Sequence, residues 1–306
     1  MKAENAEGQE MKRMLFIYNP ASGKGQMRQK LSAVLERFTQ AGWLVTAYPT
    51  QCKGDATRVA RELGGGYDRV VCAGGDGTLS ETVAGLMELP DPPVLGFVPS
   101  GSTNDCAHNL RLPAGIERTA MTAAAGFPLP VDVGRLNGRP FVYVAAFGAF
   151  TEVAYDTPQE LKNTFGHLAY IMAGIGQLPN LTPYHLRVEH EGGVIEDDFL
   201  YGMVCNTYSV AGVKALPKDR VVLDDGLFEV LLVRKDVKLT DITNALQALL
   251  RNAPVQTAAV VSFETANVTI SCDRPIPWTI DGEYGGTYAV GRLENCHRAL
   301  TVVHGK

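Results

Sequence analysis

The sequence predicts an α/β domain followed by a mainly antiparallel β domain, and three observations support this fold class. The chain has 306 residues, enough for two domains of ~100–200 residues each. Up to about Gly126, short β-branched runs alternate with amphipathic segments, which is typical of a parallel sheet covered by helices. From about Asp132, strand-like segments follow one another with turns such as Asn137-Gly138, a pattern that favours antiparallel hairpins.

These observations divide the chain into three parts. We expect a disordered leader at 1–13, an α/β domain at 14–130 and a mainly β domain at 131–306. The last strand, at about 298–304, is a candidate to return to the first domain.

The first domain is expected to contain four strands separated by helices. The strands are placed at Leu15–Tyr18, Leu44–Pro49, Arg69–Ala73 and Val94–Val98. The helices are placed at Gln26–Ala41, Asp55–Leu63 and Leu79–Glu88. Loops rich in Gly, Ser and Asn follow the first, third and fourth strands. Because ligands of open α/β sheets bind at the carboxyl ends of the strands, we expect these loops to converge on one phosphate-binding site.

The second domain is expected to consist mostly of alternating strands. We place them at Asp132–Leu136, Phe141–Phe147, Leu186–His190, Phe199–Asn206, Leu227–Arg234 and Val260–Thr265. Helices are expected to interrupt the strands at Pro158–Gln177 and Thr240–Arg251.

Composition and charge exclude several classes of function. The formal net charge is -5, whereas proteins that bind nucleic acid concentrate positive charge, so nucleic acid is not an expected partner. The 6 cysteines lack metal-finger spacing and fit a reducing cytoplasm. The first ten residues are polar and acidic, unlike a secretory leader. The longest apolar stretches fall short of the ~18 residues that span a bilayer, so any membrane contact is expected to be peripheral.

The third strand leads into Gly74-Gly75-Asp76-Gly77-Thr78, the most informative of the three loops. Glycines let backbone N–H groups approach phosphate oxygens closely, and a helix beginning near Leu79 adds a favourable dipole. Asp76 alone would repel phosphates, so a shared Mg²⁺ would reconcile the two. The alternative is a tight turn in which Asp76 caps the helix.

The other two loops repeat this composition. Asn19-Pro20-Ala21-Ser22-Gly23-Lys24 follows the first strand, although it lacks the spacing of a P-loop. The segment from Pro99 to Asp105, PSGSTND, follows the fourth strand. Hydroxyl, amide and backbone donors therefore follow three strands of one sheet.

Several motifs in order resemble the diacylglycerol kinase catalytic-domain family, which includes bacterial lipid kinases and the related sphingosine and ceramide kinases. The motifs are NPASG at 19–23, Thr50 followed by Gly54-Asp55-Ala56, GGDGT at 74–78, PSGSTND at 99–105, LDDGL at 223–227 and DGE at 281–283. The resemblance spans roughly Met14 to the C-terminus. It implies a three-layer NAD kinase/diacylglycerol kinase-like first domain and a β-sandwich-like second domain.

The resemblance implies that ATP binds with Mg²⁺ in a cleft between the domains. The implied nucleotide contacts are Asn19, Pro20, Ala21, Ser22, Gly23, Thr50, Gly74, Gly75, Asp76, Gly77, Thr78, Leu79, Ser80, Ser102, Asn104 and Asp105. The family more often has threonine where Ser102 stands, but serine keeps the hydroxyl. The alternative for Thr50 is a strand-end residue that caps the helix starting near Asp55.

Two acidic turns of the second domain complete the implied site. Glu283 corresponds to the catalytic glutamate of the family and would act with Asp76. Val222, Asp225 and Leu227 would hold a structural magnesium ion, with Asp224 pointing to solvent. Without the resemblance, both segments are ordinary surface turns.

The expected activity is transfer of the ATP γ-phosphoryl group to the hydroxyl of diacylglycerol, giving phosphatidic acid. A sphingoid base, ceramide or monoacylglycerol is an alternative acceptor. An NAD kinase or a 6-phosphofructokinase-like enzyme is a more distant alternative, because those families share the GGDG segment, and a catalytically inactive nucleotide or lipid sensor is a third. The expected setting is the cytoplasm with transient contact at the inner membrane surface, and a homodimer is an assembly that the sequence permits.

Overall fold

The computed structural model describes residues 11–101, 104–148, 182–206, 209–210, 213–214, 222–236 and 259–305. The chain divides into two compact units. The first unit ends at Val131 and resumes at Ala299, whereas the second unit covers Asp132–Arg298.

The first unit contains the expected strands and helices of an α/β domain. Its strands are β1 (Lys12–Tyr18), β2 (Trp43–Pro49), β3 (Arg69–Gly74) and β4 (Val94–Pro99). Its helices are α1 (Ser22–Gln40), α2 (Asp55–Leu63), α3 (Asp76–Leu86), α4 (Asp105–Asn109) and α5 (Ile116–Ala125), with a 3₁₀ turn at Gly64–Gly66. The first strand already begins at Lys12, within the leader that we expected to extend to residue 13. The sequence analysis placed no element at α5, which covers Ile116–Ala125.

The sheet of this unit is parallel throughout. β2 pairs with β1, β1 with β3, and β3 with β4, each in parallel register. The end of the last strand, β15 (Glu283–His304), adds a fifth parallel strand, with Val302 opposite Leu95 of β4. The strand order is therefore β2-β1-β3-β4-β15. Since the strands run the same way, the loops that follow β1, β3 and β4 leave the sheet at one edge.

One face of this sheet is covered by α1 and α5. Phe16 of β1 packs edge-on against Phe38 of α1, with ring centroids 5.1 Å apart in a fully buried cluster. The C-terminal end of α5 is held by Trp43, whose indole N–H donates to the carbonyl of Ala124 at 3.0 Å. Arg69 donates to the same carbonyl at 2.6 Å. These bonds satisfy helix-end carbonyls that have no partner within the helix.

The second unit is built almost entirely from strands. They are β5 (Phe127–Leu136, which begins in the first unit), β6 (Arg139–Phe141), β7 (Val144–Gly148), β8 (Tyr184–His190), β9 (Gly193–Cys205), β10 (Ser209–Val210), β11 (Val213–Lys214), β12 (Phe228–Arg234), β13 (Val260–Thr265), β14 (Asn267–Ile280) and most of β15. The helices expected at Pro158–Gln177 and Thr240–Arg251 lie outside the described residues.

The main sheet of the second unit has the order β13-β12-β9-β7-β14-β15, and each neighbouring pair is antiparallel. β8 pairs with both β9 and β14. The core contains Phe147, Phe199, Phe228 and Trp278, each at most 1% exposed. The predicted fold class, an α/β domain joined to an antiparallel β domain, is confirmed.

One expected strand of the second unit is interrupted. The sequence predicted a continuous strand at Phe141–Phe147, but β6 ends at Phe141 and β7 begins at Val144. The backbone N–H groups of Val142 and Tyr143 donate to the carboxylate of Asp281, at 2.8 and 3.0 Å. These two N–H groups therefore donate to a side chain, whereas in a continuous strand they would donate to backbone carbonyls of a neighbouring strand.

Within the part of the chain that the structure describes, no helix has the length and apolar character needed to cross a membrane.

Candidate functional site

The loop after β1 is folded by its own side chains. The side chain of Asn19 accepts a hydrogen bond from the backbone N–H of Ala21 at 2.9 Å, and the Ser22 hydroxyl donates to the carbonyl of Asn19 at 2.9 Å. Helix α1 begins at Ser22, and the backbone N–H of Asn19 bonds to Ala73 of β3 at 2.8 Å. The polar segment at 19–23 therefore leaves the sheet beside the end of β3.

The loops after β1 and β4 are in direct contact. The hydroxyl oxygens of Ser22 and Ser100 lie 2.6 Å apart. Gly23 has φ +57°, and a Cβ at this position would stand 2.1 Å from the carbonyl oxygen of Ser100. The site therefore requires glycine at position 23 for both conformation and space.

The loops after β3 and β4 also touch. The backbone N–H of Ser100 donates to the carbonyl of Gly74 at 2.8 Å, and a Cβ on Gly101 would stand 2.6 Å from the Cα of Gly75. The side chain of Asn104 accepts from Gly101 N–H at 2.9 Å and donates to Gly101 O at 2.8 Å. The structure thus brings together the three loops that the sequence singled out.

Asp76 is the first residue of α3, and the N-cap position is occupied by Gly75. The alternative interpretation of Asp76 as a helix cap is therefore wrong. Asp76 is half-buried, its Oδ1 atom is buried, and it places a carboxylate in the first turn of the helix. Leu79 is 2% exposed, and its backbone N–H donates to the carbonyl of Gly75 at 3.2 Å.

Thr50 lies next to the first loop. Its backbone N–H donates to the carbonyl of Tyr18 at 2.9 Å, which extends the pairing of β1 and β2 by one step. The N-cap of α2 is Gly54, with φ +83° and no side-chain cap bond, so the alternative that Thr50 caps this helix is wrong. Ser102 lies outside the described residues, and Asp105 is placed only as the first residue of α4.

A cavity of about 980 Å³ borders two of these loops. Its lining includes Ser100, Gly101 and Asn104, residues of α1 from Gly23 to Lys30, and the residues at 115–118 around the start of α5. Lys30 and Glu117 belong to its wall and form an ion pair at 2.8 Å. The hydrogen bond from Lys30 lowers the pKa of Glu117. The cavity therefore offers amide, hydroxyl and cationic groups, which suit a polar ligand.

In the second unit, Glu283 follows a tight hairpin turn. Asp281 and Gly282 have φ values of +48° and +82°, and Ile280 pairs with Glu283 across the turn. Positive φ at both central residues is the signature of a type I′ hairpin. Glu283 is half-buried and is the first residue of β15.

Asp281 is a residue of this turn whose importance the sequence analysis did not identify. It is 4% exposed, and its carboxylate accepts hydrogen bonds from the backbone N–H groups of Val142, Tyr143 and Val144. Its own N–H donates to the carbonyl of Val144 at 2.9 Å. Asp281 therefore fastens the hairpin to the start of β7. The only sequence signal was an acid beside glycine, which is common in turns.

The turn at 222–227 is organised by a second overlooked aspartate, Asp132 of β5. Asp132 is 2% exposed, and its carboxylate accepts from the backbone N–H groups of Gly226 and Arg298, both at 2.6 Å. Its own N–H donates to the carbonyl of Leu223 at 2.7 Å. In the sequence, the only sign of this role was a single acidic residue between two valines.

Asp224 does not point freely into solvent, contrary to our expectation. Its carboxylate accepts a hydrogen bond from the guanidinium of Arg298 at 3.1 Å, and its carbonyl lies 2.8 Å from Nε2 of His297. The expectation was wrong because the sequence shows no sign that the distant end of β15 passes beside this turn.

The oxygen atoms of this turn suit a hard cation such as Mg²⁺. Asp225 is exposed, with one carboxylate oxygen 2.9 Å from the N–H of Leu227, and the carbonyl of Leu227 accepts from the side-chain amide of Asn295 at 3.1 Å. Glu229 lies nearby but is mostly neutral at pH 7, because burial, with Asp225 and Glu264, raises its pKa to about 8. Among the described residues, no cluster of three or more His, Cys, Asp or Glu side chains forms a metal site. A cation here would therefore depend on backbone carbonyls, as hard cations commonly do.

Comparison with known proteins assigns both parts of the chain. Residues 13–136 match the diacylglycerol kinase catalytic domain. Residues 145–304 match the YegS C-terminal NAD kinase beta sandwich-like domain.

Relatives and solved structures agree with this assignment. The chain is 35% identical over 295 residues to a diacylglycerol kinase of Bacillus subtilis (strain 168), covering 96% of each chain. It is 37% identical over 276 residues to a diacylglycerol kinase of Staphylococcus carnosus (strain TM300), covering 90% of each chain. A crystal structure of a Bacillus anthracis str. Sterne diacylglycerol kinase has a TM-score of 0.76 at 21% identity, covering 97% of this chain and 98% of that one, which supports the fold alone. The chain therefore belongs to the diacylglycerol kinase catalytic-domain family.

Proposed function

We propose that this protein is an ATP-dependent lipid kinase that phosphorylates diacylglycerol to phosphatidic acid. The observation that carries the proposal is the contact among the loops that follow β1, β3 and β4, in a chain that is 35% identical to a diacylglycerol kinase. The loops supply backbone N–H groups, hydroxyls and a helix N-terminus at one sheet edge, which is the chemistry that binds phosphates.

In this proposal the phosphates of ATP bind against the glycine-rich backbone at 19–23 and 74–78. Ser22 and Ser100 hold the loops in register, and Ser80, Ser102, Asn104 and Asp105 belong to the same site. Thr50 follows β2, and in the strand order β2-β1-β3 the strand β1 separates β2 from β3. Thr50 therefore binds the part of the nucleotide farther from the reacting phosphate. Neighbouring strands are ~4.8 Å apart, a spacing that a nucleotide spans easily.

Glu283 is the proposed general base. An alcohol is a weak nucleophile, and a carboxylate that accepts its proton makes it a better one. The acceptor oxygen forms a bond to the γ-phosphorus while the bond from that phosphorus to the bridging oxygen of ADP breaks. The proton of the alcohol ends on the Glu283 carboxylate. Asp281 keeps the turn that carries Glu283 in place.

Asp76 is the proposed residue that holds Mg²⁺ at the phosphates, where the ion would neutralise charge on the transferring group. Val222, Asp225 and Leu227 are the proposed ligands of a second, structural Mg²⁺. We further propose that the protein works in the cytoplasm and meets its lipid by peripheral contact with the inner membrane surface.

The test is transfer of labelled γ-phosphate from ATP to a panel of acceptors in mixed micelles. The panel contains diacylglycerol, monoacylglycerol, sphingosine and ceramide, with NAD and fructose 6-phosphate as soluble controls. We expect labelled phosphatidic acid, and loss of the product when EDTA removes Mg²⁺. Another labelled lipid would keep the mechanism and change the acceptor, whereas labelled NADP or sugar phosphate would overturn the proposal. An unlabelled panel with intact ATP binding would indicate a nucleotide sensor.

A further inference from the structure

The segment Gly54-Asp55-Ala56 has no role in the proposed reaction, yet Asp55 is unusually well bonded for a residue at the start of a helix. It is 6% exposed, and one carboxylate oxygen accepts from the backbone N–H of Gln51 at 2.9 Å. The other oxygen accepts from the guanidinium of Arg58 at 2.6 Å and lies 3.4 Å from the hydroxyl of Tyr48. Burial alone would raise the pKa of Asp55, but Gln51 N–H and Arg58 together lower it. The side chain is therefore a buried carboxylate.

These bonds fix the main chain around Thr50. The N–H of Thr50 is held by Tyr18 of β1, and the N–H of the next residue, Gln51, is held by Asp55. Consecutive backbone donors are thus tied to two different elements, β1 and α2. The hydrogen bond to Tyr18 sets the position of Thr50 beside the loop at 19–23. The hydrogen bond to Asp55 sets the direction in which the chain continues after Thr50.

A second acid ties the same segment to the helix that follows the GGDGT loop. Glu81 of α3 accepts a hydrogen bond from the backbone N–H of Gly54 at 2.8 Å. The carbonyl of Glu81 accepts from the hydroxyl of Thr57 in α2 at 2.9 Å. Because α3 begins at Asp76, these bonds connect the segment 50–54 to the loop that contains Asp76.

We propose that Asp55 and Glu81 are positioning residues that hold Thr50 and its segment in the orientation that binds the nucleotide. The inference rests on the proposed function in assigning Thr50 to the nucleotide. Asp55 and Glu81 act through the backbone of Gln51 and Gly54. Because Thr50 is placed away from the reacting phosphate, losing its support removes binding that ground state and transition state share. Such a loss raises KM for ATP and leaves kcat unchanged.

The experiment compares Asp55→Ala, Asp55→Asn and Glu81→Ala with two matched controls. Glu62→Ala removes the other carboxylate partner of Arg58, which is 2.9 Å away, without touching Gln51. Glu88→Ala removes an exposed acid that follows α3 and pairs only loosely with Arg61, at 3.6 Å. Measurements are KM and kcat for ATP, KM for diacylglycerol, ATP affinity by calorimetry without lipid, and the unfolding midpoint.

We expect Asp55→Ala and Glu81→Ala each to weaken ATP binding roughly fivefold to tenfold, which corresponds to the loss of one or two hydrogen bonds. Asp55→Asn keeps one acceptor oxygen and should fall between Asp55→Ala and the parent. In all three variants kcat at saturating ATP and KM for diacylglycerol should stay within about twofold of the parent. The controls should bind ATP as the parent does.

Two results would overturn the inference. One is unchanged ATP affinity in folded variants, and the other is a parallel fall of kcat, lipid affinity and unfolding midpoint, which would indicate a purely structural role. If Asp55→Ala does not fold, the ATP affinities of Asp55→Asn and Glu81→Ala test the inference. The inference can be tested even if the protein does not phosphorylate lipids, because calorimetry with ATP alone still compares the ATP affinities of the variants. A parent that does not bind ATP would overturn both.

Discussion

The hydroxyl of Ser100 donates a hydrogen bond to the hydroxyl oxygen of Ser22, and the two oxygens are 2.6 Å apart. The direction follows from the Ser22 hydrogen, which is already donated to the carbonyl of Asn19 at 2.9 Å. A hydroxyl has one hydrogen to give, so Ser100 must be the donor in the pair. This relay joins the loops after β1 and β4 through side chains.

Breaking this relay should weaken nucleotide binding. We expect Ser100→Ala to reduce ATP affinity about fivefold, because it removes the hydrogen bond between the loops, and Ser22→Ala to reduce it at least as much, because it also removes the bond to the Asn19 carbonyl. The double variant should lose less than the product of the two effects, since both changes remove the same bond. Calorimetric titration with ATP measures all three variants. Fully multiplicative effects would show that the two hydroxyls act independently.

Gly23→Ala should damage the site more than Gly25→Ala does. Both glycines have positive φ, +57° and +81°, so both substitutions carry the backbone strain of ~1 kcal/mol. Only at Gly23 would the new Cβ meet a backbone atom, the carbonyl oxygen of Ser100 at 2.1 Å, whereas nothing lies within 4 Å of the Cβ at Gly25. We expect Gly23→Ala to abolish ATP binding and Gly25→Ala to keep it. Equal loss in both variants would show that backbone strain, and not the clash, is decisive.

Glu283→Gln should strongly reduce turnover and spare ATP binding. Glutamine has nearly the same shape as glutamate but cannot accept the proton of the alcohol, and a general base contributes ~100-fold to 10,000-fold in rate. We expect kcat to fall within that range with an unchanged dissociation constant for ATP. Labelled phosphate transfer and calorimetry measure the two quantities. Parental turnover in the variant would exclude Glu283 as the base.

Asp132→Asn should be far more destabilising than Asp224→Asn. Asp132 is 2% exposed and accepts two backbone N–H groups at 2.6 Å, so an amide NH₂ would face one of these donors and leave it without an acceptor. We expect a loss of ~2–4 kcal/mol in the free energy of unfolding. At Asp224 the side chain contacts one arginine near the surface, and the loss should be under ~1 kcal/mol. Urea denaturation of both variants measures the difference. Similar losses would contradict the anchoring role of Asp132.

His185 should make stability depend on pH near neutrality. Asp198 and then Glu196 raise the pKa of its imidazole above the usual ~6.5, so the folded state binds this proton more tightly than the unfolded state does. The stabilisation is fully present below pH ~6.5 and is lost as pH rises through the raised pKa. Urea midpoints measured across this range should show the decline. His185→Gln, and Asp198→Asn to a lesser extent, should flatten it.

The strands and most helices were predictable because local patterns dictate them. The buried β-branched run at Arg69–Gly74 and the glycines after it define a strand and its loop without long-range information. The three loops could be expected to meet because parallel strands end at one edge. Helix α5 was missed, although Thr119, Ala120, Ala123 and Ala124 are buried at helical spacing. Their small side chains give only a weak apolar signal.

The residues that support the site were not predictable in the same way. Asp132 bonds to Gly226 and Arg298, and Asp281 bonds to the segment at 142–144, all of which are distant in the sequence. Each of these acids looks like a surface turn or strand residue until the fold supplies its backbone donors. Asp55 could be identified as part of a motif, but its bond to the residue after Thr50 could not.

The last strand has a consequence for the order of folding during synthesis. The parallel sheet of the first unit is completed by Ala299–His304, which the ribosome adds only after all of Asp132–Arg298 has been made. Until then β4 is unpaired on the side where its Leu95 will lie opposite Val302. The first unit therefore cannot finish folding as an independent nascent domain, and a chain that stops before Ala299 would leave it with an exposed sheet edge.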